Sequence, residues 1–107
     1  MEPANIKIKS NIKIPLEEIE AFCRRWKIKE FALFGSVLRE DFRPDSDIDV
    51  LVSFEPGGGI TFENRVDMLD ELAEIFGRPV DLVEKETIRN PFRRHDILTT
   101  REIVYAA

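Results

Sequence analysis

The sequence has one cysteine, Cys23, which excludes an intramolecular disulfide and favours a reducing compartment, so we expect a cytoplasmic protein. It has no run of 18 or more apolar residues and no apolar segment typical of a signal peptide near its start, so we expect no contact with a membrane. Basic residues are outnumbered, 16 against 21 acidic ones, and the net charge is −5. This balance argues against a protein that holds nucleic acid through its phosphates alone, although it permits a local basic patch.

Length and composition instead predict one globular unit. The chain has 107 residues, of which 43% are hydrophobic and 35% are charged. A chain of this length buries enough apolar surface to fold without disulfide or metal cross-links. We therefore interpret residues 1–107 as a single domain.

Helices are predicted wherever apolar residues recur every three or four positions. This spacing predicts a helix over residues 15–26, with acidic residues early and basic residues late, and a second over 61–76 that ends at Gly77. Residues 91–105 carry a similar pattern and are predicted to be mostly helical.

Strands are predicted at short apolar runs that lie between these helices. The runs cover residues 30–34, 47–54 and 79–84, and isoleucines alternating with polar residues predict an extended segment over 5–14. Because helices and strands alternate along the chain, we expect an α/β fold with a small sheet flanked by helices.

Two acidic residues stand at the start of the second predicted strand, in the run Asp47-Ile48-Asp49. Side chains alternate between the faces of a strand, so Asp47 and Asp49 point the same way while Ile48 points into the core. Adjacent carboxylates repel each other, and a divalent cation such as Mg²⁺ would relieve that repulsion. The alternative is a pair of solvated acids at a strand end.

A third acidic residue, Asp81, lies inside the apolar run Val80-Asp81-Leu82-Val83. A carboxylate buried there without a partner would be costly. Three acids converge if this strand lies beside that of Asp47 and Asp49. Otherwise Asp81 faces solvent on an edge strand or pairs with an arginine.

A possible phosphate-binding turn, Gly35-Ser36, follows the first predicted strand. Glycine lets the backbone approach a ligand closely, and a helix starting at Ser36 or Val37 would direct free N–H groups at an anion. Arg39 and Arg43 follow within reach of a triphosphate. Taken separately, the Gly-Ser pair could be an ordinary turn and each arginine a solvated surface charge.

Together these features resemble the polymerase-β-like nucleotidyltransferase superfamily, and most closely its minimal nucleotidyltransferase (MNT) form. The resemblance rests on Gly35-Ser36, a ten-residue spacer, Asp47-Ile48-Asp49-Val50 on a strand and the later Asp81, and it runs from about residue 16 to residue 105. It implies the polymerase-β-like fold. Leu38 and Glu40 stand around Arg39 where the family often has a small residue and a glycine.

The resemblance also implies roles for these residues. It implies that Gly35 and Ser36 hold the nucleotide phosphates, and Arg39 matches a basic position that often follows Gly-Ser in MNT proteins, whereas Arg43 stays a candidate from its position alone. Asp47 and Asp49 would bind Mg²⁺, as two ions, and Asp81 would be the third acid, touching one metal and acting as a base.

Short members of this group are commonly antitoxins paired with a helical HEPN ribonuclease toxin. The resemblance therefore implies an enzyme that transfers AMP from ATP to a toxin tyrosine within a hetero-oligomer, without binding nucleic acid directly. The lone histidine, His95, is then a surface or toxin-facing residue. Two alternatives are an MNT-like antitoxin that acts by contact alone, and a phosphoacceptor receiver domain, which leaves Gly35-Ser36 unexplained.

Overall fold

A four-stranded mixed sheet forms the centre of the computed structural model, which describes residues 13–43 and 45–107. The strands are β1 (Ile28–Phe34), β2 (Ile48–Phe54), β3 (Val80–Glu84) and β4 (Glu102–Ala106), in the order β3-β2-β1-β4. β1 pairs antiparallel with β2 and β4, whereas β2 and β3 are parallel. The first three strands confirm the predicted ones.

Three α-helices connect and cover the strands: α1 (Leu16–Arg25), α2 (Arg65–Phe76) and α3 (Pro91–Thr100). α1 follows the predicted charge order, with acids in its first turn and arginines in its last. α2 ends at Gly77, whose φ of 72° is the left-handed conformation expected for a glycine at a helix end. The helix predicted over 15–26 is confirmed within a residue at each end.

The prediction that the second helix begins at residue 61 is wrong by four residues. The Thr61 N–H donates to Oδ1 of Asn64 over 2.7 Å, and the Asn64 N–H donates to Oγ1 of Thr61 over 3.0 Å. This reciprocal pair holds a turn ahead of Arg65, where α2 starts. Phe62 lies in that turn and is 98% exposed, so it is not part of the apolar face of α2.

The prediction of a mostly helical stretch over 91–105 is also only partly right. α3 ends at Thr100, and Arg101 has extended backbone angles that lead into β4. There Val104 is buried and Tyr105 lies opposite Phe31 of β1. Pairing with β1 satisfies backbone groups that an uncovered strand edge would expose, and this tertiary contact outweighs the helical spacing of the apolar residues.

Apolar residues pack on both faces of the sheet. α1 and α2 cover one face, where Ile48, Val50 and Val52 of β2 point into the core as predicted. The segment that includes α3 covers the other face, where Leu51 of β2 belongs to a smaller apolar cluster. That cluster contains Ala32, Phe34, Leu51, Ile88 and Ile97. Because strand side chains alternate, Asp49 shares the face of Leu51 and so lies on the α3 side.

The extended segment predicted over 5–14 lies outside the described residues except for residues 13 and 14, which belong to no helix or strand. None of the helices in the described ranges is both long enough and apolar enough to cross a membrane.

Candidate active site

Asp49 and Asp81 are paired across the parallel strands β2 and β3. The two residues are register partners, so both side chains leave the same face of the sheet at neighbouring positions. Asp49 is half-buried and Asp81 is exposed. The strand of Asp81 therefore does lie beside the strand of Asp49, as the convergence of three acids requires.

Gly35 lies directly against the Asp49 carboxylate. Phe34, the residue before it, is the register partner of Asp49 in β1. A Cβ added to Gly35 would clash with Oδ2 of Asp49 and lie 3.3 Å from its Cγ, and the φ of Gly35 is +74°. Any other residue would thus be strained and would push the carboxylate away, so the glycine lets Asp49 approach the turn that follows β1.

The environment of Asp49 opposes its negative charge. Burial raises the pKa of this carboxyl most, and the nearby charges of Asp81 and Asp47 raise it further, whereas Arg93 lowers it. Asp47 is exposed immediately before β2. Asp81 and Asp47 therefore both act on the charge of Asp49, and a cation placed beside Asp49 would offset both the repulsion and the lost hydration.

The acids fit a metal–nucleotide complex better than a closed metal cage. Across residues 13–43 and 45–107, no group of three or more His, Cys, Asp or Glu side chains is arranged to hold a metal ion. Mg²⁺ usually binds one or two carboxylates and completes its oxygen shell with water and substrate phosphates. Asp47 and Asp49 supply carboxylates of that kind, so the donor set fits Mg²⁺ that arrives with a nucleotide.

The Gly35-Ser36 turn lines one wall of a cleft of about 450 Å³, and Arg39 and α3 line other parts of it. Gly35–Leu38 form a single 3₁₀ turn, and Arg39 is already extended, so the longer helix considered at Ser36 does not form. A phosphate contact made by this turn would therefore use its own N–H groups and the Ser36 hydroxyl rather than a helix dipole.

The two candidate arginines have different surroundings. Arg39 lines this cleft, and its Nε lies 3.3 Å from Oδ1 of Asp41 in an exposed ion pair. Arg43 is exposed and is not among the described residues that line the cleft. Its backbone carbonyl accepts a hydrogen bond from Nη1 of Arg78 over 3.2 Å.

Arg93, at the start of α3, is a site residue that the sequence interpretation did not select. It lines the cleft of Gly35 and Ser36 and also a second cleft of about 450 Å³ that contains Asp81. The sequence predicts a helical stretch over 91–105, but no local pattern shows which face of the sheet that helix covers.

Acids paired beside a glycine turn on a mixed sheet are suited to binding a metal ion and phosphates, and comparison with known proteins gives the family. The model of the family described as "Nucleotidyltransferase domain" matches residues 17–104. The chain belongs to this nucleotidyltransferase family.

One relative is the protein adenylyltransferase MntA of Thermococcus cleftensis, which is 30% identical over 100 residues, covering 86% of this chain and 96% of the relative. A solved toxin–antitoxin structure with AMP-PNP matches at a TM-score of 0.70 and 21% identity, over 87% of this chain and 74% of that chain. A tri-AMPylated HEPN toxin of Shewanella oneidensis in complex with an MNT antitoxin matches at a TM-score of 0.61 and 20% identity, over 86% and 70%. The resemblance to minimal nucleotidyltransferases, their fold and the enzyme class are confirmed.

Proposed function

We propose that this chain transfers AMP from ATP to a tyrosine hydroxyl of a HEPN-type toxin, with Mg²⁺, and thereby neutralises the toxin. The observation that carries the proposal is the register pairing of Asp49 with Asp81 on one face of the sheet, with Gly35 against the Asp49 carboxylate. This arrangement offers metal-binding oxygens beside a turn that a phosphate chain can approach.

The reaction needs few groups besides these. The tyrosine oxygen attacks the α-phosphorus of ATP, the bond from that phosphorus to the bridging oxygen breaks, and pyrophosphate leaves. Asp47 and Asp49 would hold Mg²⁺, which would supply positive charge to offset that of the phosphates. Gly35, Ser36 and Arg39 would hold the phosphates, and Asp81 would take the tyrosine proton.

A protein acceptor suits this chain better than a nucleic acid. The net charge of −5 disfavours a polyanionic acceptor and complements a basic ribonuclease. The comparisons also support a protein acceptor. The relative from Thermococcus cleftensis is a protein adenylyltransferase, and one of the matched structures holds an AMPylated HEPN toxin. The active hetero-oligomer then consists of this chain and its toxin.

The decisive experiment measures the intact mass of a HEPN-type partner from the same genome after incubation with this chain, ATP and Mg²⁺. We expect the partner to gain mass in steps of one AMP. We expect Asp47→Asn/Asp49→Asn to lower the transfer rate by about 100-fold or more, because the phosphate charge is no longer neutralised.

The matched control is Asp67→Asn/Asp70→Asn, which makes the same charge change on exposed positions of α2 and should transfer AMP normally. A partner that is fully neutralised by both double variants without any change in mass would contradict enzymatic transfer. That result would establish the contact-only antitoxin instead.

A further inference from the structure

Arg93 occupies the boundary between the two clefts of the site. One cleft contains Gly35 and Ser36, and the other contains Asp81. Suppose that the phosphates bind in the first cleft and the attacking hydroxyl enters through the second. The phosphorus under attack then lies between the two clefts, beside Arg93. No other residue lines both clefts in the described part of the chain.

The guanidinium of Arg93 is available for a ligand. Among the described residues it takes part in no ion pair and in no side-chain hydrogen bond, and Arg93 is exposed. Other arginines of this region have structural partners. Nη1 of Arg94 donates to the Lys85 carbonyl over 2.7 Å, and Nε of Arg101 donates to Oε2 of Glu30 over 2.9 Å.

The helix that carries Arg93 has a capped first turn and one buried residue against the sheet. The Asn90 side chain accepts hydrogen bonds from the N–H groups of Phe92 and Arg93, over 2.9 and 3.0 Å, at the start of α3. Ile97 is buried against the sheet, and Arg101 is bound to Glu30 of β1. Arg93 therefore projects from a capped first turn, whose backbone needs no further ordering on binding.

We infer that Arg93 is a phosphate-binding residue of this site, contacting the nucleotide where its phosphate chain passes from the Gly35-Ser36 cleft towards Asp81. A guanidinium binds phosphate oxygens in a planar, two-bond geometry, and its positive charge balances the acids beside it. This inference takes the identity of the nucleotide from the proposed function. It does not depend on which acceptor receives AMP.

The test is the dissociation constant of AMP-PNP with Mg²⁺, measured by titration calorimetry on the full chain. We expect Arg93→Gln to weaken binding by about tenfold or more, as the loss of a charged hydrogen bond does. Arg93→Lys keeps the positive charge but loses the planar pair of N–H donors, so its affinity for AMP-PNP should lie between those of the parent chain and Arg93→Gln. Binding of adenosine, which has no phosphate, should stay unchanged in every variant.

Arg89→Gln is the matched control, since Arg89 is exposed, lies four residues away and lines neither cleft. Its affinity should stay within twofold of the parent chain. If Arg93→Gln binds AMP-PNP as Arg89→Gln does, or if its loss of affinity extends to adenosine, the inference is overturned.

The test remains independent of the acceptor. If the parent chain binds AMP-PNP and Arg93→Gln does not, yet no AMP reaches the HEPN-type partner, the proposed function fails while the role of Arg93 stands. Should Arg93→Gln prove too unstable to measure, the comparison of Arg93→Lys with the parent chain decides, and equal affinities for AMP-PNP would then overturn the inference.

Discussion

At the scale of single residues, the charge that the proposed function requires of Asp49 is unfavourable for the folded chain. Its carboxyl is half-buried, and burial, followed by the charges of Asp81 and Asp47, raises its pKa above the ordinary value of 3.8. The folded carboxyl therefore keeps its proton to a higher pH than the unfolded one. The folded chain therefore loses stability as the pH rises from the ordinary pKa through the raised one, and the loss is complete once the pH lies above both.

We therefore expect Asp49→Asn to be more stable than the parent chain at pH 7 without metal or nucleotide. A gain of about 1 kcal/mol, common for removal of an unfavourable charge, corresponds to roughly 4–8 °C in Tm for a domain of this size. The gain should shrink as the pH falls through the raised pKa and vanish below 3.8, where the Asp49 carboxyl is protonated in both the folded and the unfolded chain. Thermal melts in EDTA across pH measure it.

Asp70→Asn serves as the comparison, because it removes an exposed carboxylate from α2 and should change Tm little. A Tm for Asp49→Asn at or below that of the parent chain at pH 7 would show that its charge is not unfavourable in the folded state.

At the scale of elements, α3 depends on its first turn. The Asn90 side chain satisfies two N–H groups that have no partner within the helix, and Pro91 suits the first helical position. The helix is only ten residues long, so each end contributes much of its stability. The same turn carries Arg93, which couples the order of this helix start to the site.

Replacement of this cap should be measurable in denaturant unfolding. We expect Asn90→Ala to lower the free energy of unfolding by about 1 kcal/mol, the usual effect of losing such a cap. Asn90→Asp keeps an oxygen acceptor at the same position and should stay close to the parent chain. If alanine and aspartate behave alike, the two hydrogen bonds do not stabilise α3.

At the scale of the whole molecule, Cys23 reports on global unfolding. It is fully buried in the core cluster beneath α1 and α2, and burial, with a smaller contribution from Glu20, raises the pKa of its thiol to about 12. A thiol that is both inaccessible and protonated does not attack disulfide reagents. Because Cys23 lies on α1, its reaction with such a reagent requires α1 to separate from the sheet. That separation disrupts much of the core.

We expect Cys23 to react with an aromatic disulfide reagent at pH 8 only as fast as the chain unfolds. Its rate should rise with denaturant in parallel with the unfolding rate. In a Thr99→Cys variant the added thiol is exposed on α3 and should react at once in the folded protein. Rapid reaction of Cys23 without denaturant would show that α1 opens locally.

Much of the fold and of the acidic site follows from local sequence. Apolar runs and their alternation predicted β1, β2 and β3, and the orientation of Ile48, Val50 and Val52 into the core. These features depend on neighbours along the chain, so a linear pattern contains them. The turn after β1 likewise follows from the sequence, since Gly35 ends the apolar run. The contact of Gly35 with Asp49 does not follow from it.

Other features were decided only by the tertiary structure. The strand identity of β4 depends on pairing with the edge of β1, because a short apolar stretch fits both helical and extended spacing. The register that places Asp49 beside Asp81 joins residues more than 30 positions apart in sequence. So does the packing of α3 that brings Arg93 to the cleft of Gly35 and Ser36. Residue type and local spacing alone identified Asp47, Asp49, Asp81 and Gly35 as candidate site residues. Contacts between distant parts of the sequence decided that Asp49 lies beside Asp81 and that Arg93 lines both clefts, because strand register and helix packing are set by the whole core.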